Sequence, residues 1–256
     1  MPRIIAHRGY SERFPENTLL AFREALAHGA DCLEMDVHVT ADGKLMLHHY
    51  YKLGETDDGD GLIFLHDSAY LRSLDAGGWK SARFRGERMS FLEEVFTAFG
   101  HDTEYELDLK GFDEDFLRQV LDLVRVRDLL SSVEITSPLL LLLQRVKALD
   151  PSIRVGMFST TVIADWMPLE LQQKKILATA GLGNFDVIHC PVDIITPEFV
   201  SRVHSEGRML HASDCNTHAE LEAAFALGVD QLSTDRVALA VEIRRDAEGV
   251  LDFPLP

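Results

Sequence analysis

Cysteine is scarce in this chain: three residues in 256, Cys32, Cys190 and Cys215, widely spaced and with no C-x-x-C pair. An odd, scattered set reads as incidental or buried thiols in a reducing compartment. Long apolar runs are missing too. The longest, at 139–143, is far too short to cross a bilayer. Residues 1–6 run straight into His7 and leave no room for a signal sequence. A cytoplasmic protein with no stable membrane insertion is expected. Positive charge is also short, with 25 Lys and Arg against 42 Asp and Glu and a net charge of −17. That balance disfavours nucleic-acid and anionic membrane surfaces as partners. An anionic substrate would have to be attracted by a bound cation and a few local bases. Finally, no G-x-G-x-x-G follows an early strand, which removes the support for a doubly wound nucleotide-binding sheet.

What is present has the composition of a globular domain with a sizeable core, 46% hydrophobic and 26% charged. Short apolar runs alternate with amphipathic stretches, the pattern of parallel strands joined by crossover helices. The pattern predicts strands at 3–6, 32–39, 104–109, 133–136, 154–158, 186–189, 208–212 and 231–233. Helices are predicted at 17–27, 116–124, 138–149 and 219–227, among others. Eight such units predict an α/β fold of the (β/α)8 TIM-barrel type, which typically needs about 250 residues. The connection between residues 39 and 104 is too long for a plain crossover. It predicts one barrel domain over 1–256 with a small insertion after the second strand, a capping subdomain at about 44–88.

In the second strand, Glu34 and Asp36 are separated by one residue, so both point to one face. Inside a barrel, two unpaired carboxylates repel one another and are costly to desolvate. A divalent cation relieves both problems, and oxygen donors suit Mg²⁺ or Ca²⁺; the plainer alternative is a solvated strand edge. The third strand repeats the arrangement, with Glu106, Asp108 and Lys110 at alternate positions. Carboxylates sharing a cation beside an ammonium group suit a phosphate anion. His7 ends the first strand, at the barrel end where active sites lie, and Arg8 adds a guanidinium fork suited to phosphate. His48 and His49 follow the apolar stretch Leu45–Leu47. Most of the 11 histidines are expected to be surface or satisfied core residues, but two near a metal could divide acid and base roles across a phosphodiester bond.

These residues fall within a longer series: His7-Arg8-Gly9, Pro15-Glu16-Asn17-Thr18, Ala21-Phe22, Gly29-Ala30-Asp31, Glu34-x-Asp36-Val37, Thr40-x-Asp42-Gly43 and His49. It continues through Gly61, Leu74-Asp75-Ala76-Gly77, Gly86-Glu87-Arg88 and Leu92-Glu93-Glu94, and returns at Asn216, Gly228-Val229-Asp230 and Thr234-Asp235. In order and spacing the series resembles the glycerophosphodiester phosphodiesterase family. The likeness is dense over the first 110 residues and thin between 137 and 205.

The resemblance implies a barrel with an insertion after strand two, and metal-dependent hydrolysis of a small-molecule phosphodiester to glycerol 3-phosphate and an alcohol. By position it implies His7 and His49 as the acid–base pair, and Glu34 and Asp36 as ligands of one divalent cation. Arg8 and Lys110 resemble the phosphate-contacting bases. The third ligand matches Asp108, where the family usually has glutamate; Glu106 is the alternative. Other departures are Tyr50 where an aspartate normally follows the histidine, Glu55-Thr56-Asp57 in place of Arg-Thr-Thr, and Ser213 where an aromatic is expected, next to Asp214. These bear on substrate choice more than on the reaction. The alternatives are another diester, such as a lysophospholipid or sugar phosphodiester, or a non-catalytic anion-binding relative. Phe64, Trp79, Phe84 and Phe91 could form an apolar strip for an acyl chain, with packing of the insert as the plainer role. Oligomeric state is left open.

Overall fold

The computed structural model describes residues 1–251. Eight of its strands run parallel and close on themselves. β1 (Arg3–Ala6) pairs on one side with β2 (Cys32–Val39) and on the other with β9 (Gln231–Thr234). Between them stand β4 (Glu104–Leu109), β5 (Val133–Ser137), β6 (Arg154–Phe158), β7 (Val187–Pro191) and β8 (Met209–Ser213), each beside its predecessor. The extra strand β3 (Leu45–Leu47) lies outside the ring, antiparallel to β2. This is the predicted (β/α)8 barrel. The strands start and stop within two residues of their predicted positions, because each is a short apolar run bounded by polar turns.

The crossovers are helical: α1 (Leu19–Ala27), α3 (Leu92–Phe99), α4 (Glu114–Val126), α5 (Leu140–Leu149), α6 (Leu169–Gly183), α7 (Pro197–Ser205), α8 (His218–Leu227) and α9 (Val237–Leu251), with a short α2 (Ser68–Ser73) in the insert. In α4, Asp113 accepts the Phe116 N–H as the cap, and Phe116, Leu117, Val120, Leu121 and Val124 form the buried face. α1 starts two residues later than predicted. Thr18 is its cap, accepting the Ala21 N–H at 3.2 Å, and Asn17 adopts φ +55 to reach Asp36. No described helix is long and apolar enough to cross a membrane. The three cysteines are free and buried.

Alternation along the strands separates two environments. Leu33, Met35 and Val37 of β2, with Tyr105, Leu107 and Leu109 of β4, face outward into the apolar layer beneath the helices. The bore, which such barrels commonly fill with branched aliphatic side chains, is polar here. Glu34, Glu106 and Glu134 are paired neighbours on β2, β4 and β5. His189, His211 and Gln231 are paired neighbours on β7, β8 and β9.

Between β3 and α3 the chain builds its own small core from Met46, Leu53, Ile63, Leu71, Leu74, Ala76 and Met89, with Phe91 packed against it. The Tyr51 hydroxyl donates to the Lys110 carbonyl at 2.8 Å and Lys80 Nζ to the Ser11 carbonyl at 2.5 Å, tying the segment to two strand ends. Phe84 is buried and meets Phe14 at 5.7 Å. Packing therefore accounts for Phe84 and Phe91, whereas Trp79 is exposed.

Candidate active site

The C-terminal ends of β1, β2, β4, β7, β8 and β9 open onto a cavity of about 590 Å³ whose wall includes His7, Arg8, Glu34, Asp36, His49 and Asp108. Six of the seven residues predicted for the site thus share one cavity. Lys110 lies behind the wall. Its ammonium is fixed between Asp36 Oδ1 at 2.9 Å and Asp108 Oδ2 at 2.5 Å.

The turn after β1 accounts for much of this convergence. Arg8 and Gly9 both have positive φ, +56 and +83. A Cβ on Gly9 would lie 2.7 Å from the Ala21 backbone, so only glycine lets α1 pack this close. The turn aims the Arg8 amide at Glu34 Oε2, 2.8 Å away, and Asn17 Nδ2 at Asp36 Oδ2, also 2.8 Å away. The Arg8 guanidinium reaches Glu16 at 3.1 Å and Asp36 at 3.4 Å.

The two predicted histidines sit on different carboxylates. His7 Nδ1 donates to Asp235 Oδ1 at 2.8 Å, and its Nε2 is 4.0 Å from Glu34 Oε2. Asp235 is itself held by the Ser11 hydroxyl at 2.8 Å and Asn216 Nδ2 at 2.9 Å. Burial opposes charge on His7, but the Asp235 hydrogen bond and the nearby Glu34 outweigh it and raise its pKa to about 9. His49 Nδ1 lies 3.1 Å from Asp36 Oδ1, with its Nε2 3.4 Å from an Arg8 nitrogen. Burial works against ionised Asp36 as well. The His49 hydrogen bond, Lys110 and Arg8 prevail and hold it well below the usual carboxylate range. Burial and Asp36 push Glu34 up to about 8, and burial, despite Lys110, raises Asp108.

His48 has no place in the cavity. It is buried, with Nδ1 2.7 Å from the Tyr50 carbonyl and Nε2 3.0 Å from Asp57 Oδ2 and 3.1 Å from the Thr56 hydroxyl. The Glu55-Thr56-Asp57 departure is thereby explained in part: Thr56 and Asp57 turn inward onto His48, and Glu55 faces solvent. Tyr50 stands edge-on to the His49 ring, centroids 4.7 Å apart. Ser213 and the exposed Asp214 lie on the cavity wall with Asp193 and Glu220.

The family profile described as "Glycerophosphoryl diester phosphodiesterase family" matches residues 7–239. The chain belongs to this family. As a phosphodiesterase it is an enzyme, a phosphoric diester hydrolase. It is 28% identical to a glycerophosphodiester phosphodiesterase of Caldanaerobacter subterraneus, over 91% of this chain and 93% of the relative. It is similar to the crystal structure of the glycerophosphodiester phosphodiesterase from Agrobacterium tumefaciens, with TM-score 0.83 and 25% identity over 94% of this chain and 100% of that one. It also resembles an Oleispira antarctica phosphodiesterase solved with the product sn-glycerol-3-phosphate, with TM-score 0.81 and 26% identity over 96% and 97% of the two chains.

Asn216 and Asp235 belong to the family series, but their task is not written in it, because the spacing of a late Asp from a first-strand His carries no local signal. A second set of buried groups lies outside the predicted site of this phosphodiesterase, and of its members only Glu106, the alternative third ligand, carries a signal in the sequence. Glu106, Glu134, His189 and His211 are all buried, and one potential ligand atom from each lies within 4.8 Å of the others.

Proposed function

We propose that the phosphodiesterase cleaves glycerophosphodiesters to glycerol 3-phosphate and an alcohol, with His7 and His49 moving the protons. The observation that carries this reading is the pairing of each ring with its own carboxylate at one cavity: His7 with Asp235 and His49 with Asp36. Asp235 orients His7 so that a protonated Nε2 faces the cavity, suited to donate to the departing alkoxide. With its Nδ1–H on Asp36, His49 presents an Nε2 lone pair, suited to accept a proton from the water that attacks phosphorus. Arg8 is the phosphate contact. Lys110 holds Asp36 and Asp108 in place and offsets their charge. The product bound in the Oleispira relative supports the same chemistry.

Glu34, Asp36 and Asp108 are the proposed ligands of one divalent cation. Their donors are all oxygen, Asp108 Oδ1 is buried without a partner, and Glu34 is in need of a neighbouring positive charge. The set suits Mg²⁺ or Ca²⁺. When bound, the ion would polarise the phosphoryl oxygens and offset charge developing on them. Glu106, the alternative third ligand, has its own neighbours in the bore. The 44–88 segment is read as the cap of the cavity, supported by its ties at Tyr51 and Lys80. Asp193, Asp214 and Glu220 give the wall an acidic rim, which favours a cationic alcohol such as choline or ethanolamine. A cytoplasmic setting is supported by three buried free thiols.

The test is release of glycerol 3-phosphate from glycerophosphocholine with Mg²⁺ or Ca²⁺, with and without EDTA. His7→Ala and His49→Ala should each lower kcat by roughly 10²-fold or more, and Asp108→Asn should weaken cation affinity more than Glu106→Gln. Metal-independent turnover, or full activity in His49→Ala, would sink the proposal.

A further inference from the structure

The polar bore beneath the cavity holds four side chains that the proposed hydrolysis does not use. Glu106 and Glu134 come from the neighbouring strands β4 and β5, and His189 and His211 from the neighbouring strands β7 and β8. All four are at most 4% exposed. Part of the set is satisfied internally: His189 Nε2 lies 2.7 Å from Glu134 Oε1, and Gln231 Nε2 donates to Glu134 Oε2 at 3.0 Å. The other part is not. Glu106 Oε2 and His211 Nε2 are buried with no hydrogen-bond partner; His211 Nδ1, which accepts from Gln231 Nε2 at 3.1 Å and so carries the ring's lone pair, lies 3.4 Å from Glu106 Oε2. A buried polar atom left without a partner is costly, and two in one cluster call for a common explanation. The wall is also cut back at this point. A Cβ on Gly156 would come within 2.4 Å of both Glu134 Oε1 and His189 Nε2.

We propose that Glu106, Glu134, His189 and His211 form a second cation site, built for a borderline transition ion of the Zn²⁺ class and distinct from the oxygen-only set of Glu34, Asp36 and Asp108. The donor chemistry makes the distinction. Two imidazole nitrogens with two carboxylates suit Zn²⁺ or Co²⁺, whereas Mg²⁺ and Ca²⁺ select all-oxygen surroundings. One divalent ion neutralises the two carboxylates together. It also gives Glu106 Oε2 a partner and can draw on the His211 Nδ1 lone pair beside it, one potential ligand atom from each of the four residues already lying within 4.8 Å of the others. Ions can reach the site from above, because Glu106 and His189 also line the cavity. Such an ion would cross-link four barrel strands under the catalytic groups, a role independent of whether glycerophosphodiesters are the substrate.

The experiment uses the full chain, stripped with EDTA and titrated with Zn²⁺ by calorimetry and with Co²⁺ by visible absorption. The upper set is removed in Glu34→Gln/Asp36→Asn and the lower set in His211→Gln and Glu134→Gln, with circular dichroism to verify folding. One equivalent of Zn²⁺ or Co²⁺ is expected on wild type and on the upper-set variant, not displaced by excess Mg²⁺. The lower-set variants should lose about 100-fold in Zn²⁺ affinity, the upper end of what a disturbed metal environment costs. Should the lower-set variants not fold, X-ray absorption on the Co²⁺-loaded upper-set variant decides: imidazole scattering in the first coordination sphere supports the site, and an oxygen-only sphere overturns it. Failure of the upper-set variant to bind either ion, or undiminished Zn²⁺ affinity in folded lower-set variants, also overturns it.

Discussion

His7 owes its properties to residues far away in the chain. Asp235, 228 positions on, holds Nδ1, and Ser11 and Asn216 hold Asp235. The pKa of about 9 lies above the ordinary 6.5 of the unfolded chain, which fixes the sign of its linkage. The protonated ring binds its carboxylate partners, so its contribution to stability is fully present below pH 6.5. It is lost as the pH climbs through about 9. Replacing Asp235 by Asn should lower the His7 titration midpoint, measured by NMR on metal-free protein, and should narrow the alkaline limb of the activity profile. An unchanged midpoint would show that Asp235 does not set the protonation of His7. The charge of Asp235 and the position of His7 could each be read from the sequence; their meeting could not, because closing the barrel is what brings them together.

Between β2 and β4, His48 is the structural counterpart of His49. Both follow β3, but alternation turns them to opposite sides: His49 to the cavity, and His48 into the insert, where Tyr50, Thr56 and Asp57 receive it. His48 is therefore an anchor of the insert, outside the proposed proton chemistry. Losing the ring leaves the buried Asp57 carboxylate short of a partner and should cost about 1–3 kcal/mol in urea or thermal unfolding. kcat should change less than tenfold at temperatures where the variant is folded. An unaltered unfolding midpoint would mean that the insert does not depend on this anchor. At this scale the strands were legible because apolar runs are local, and so was the existence of the insert, which showed as excess length. The start of α1 was not, because Asn17 leaves the helical pattern to bond Asp36 on another element. The bore cluster was hidden for the same reason: Glu106 stood out only as an inward acid of its own strand, and Glu134, His189 and His211 lie on three other strands with no characteristic spacing.

Over the whole molecule, a charge of −17 and the acidic rim oppose anionic substrates at long range, whatever Arg8 does at short range. Glycerophosphocholine, which carries no net charge, should therefore be favoured over glycerophosphoglycerol at low ionic strength. That preference in kcat/KM should shrink several-fold between about 10 mM and 150 mM salt, as the Debye length falls from about 30 Å to 8 Å. A ratio indifferent to salt would confine the discrimination to direct contacts. The ring closure at β1 and β9 also has a consequence in time. Synthesis delivers β1 first, and its free edge has no partner on that side until β9 follows more than two hundred residues later. Asp235 is translated with β9, so the nascent chain can hold its acidic pair, Glu34 and Asp36, long before His7 gains its orienting carboxylate. Hydrolytic competence should thus switch on in one late step as the chain leaves the ribosome, rather than grow with its length.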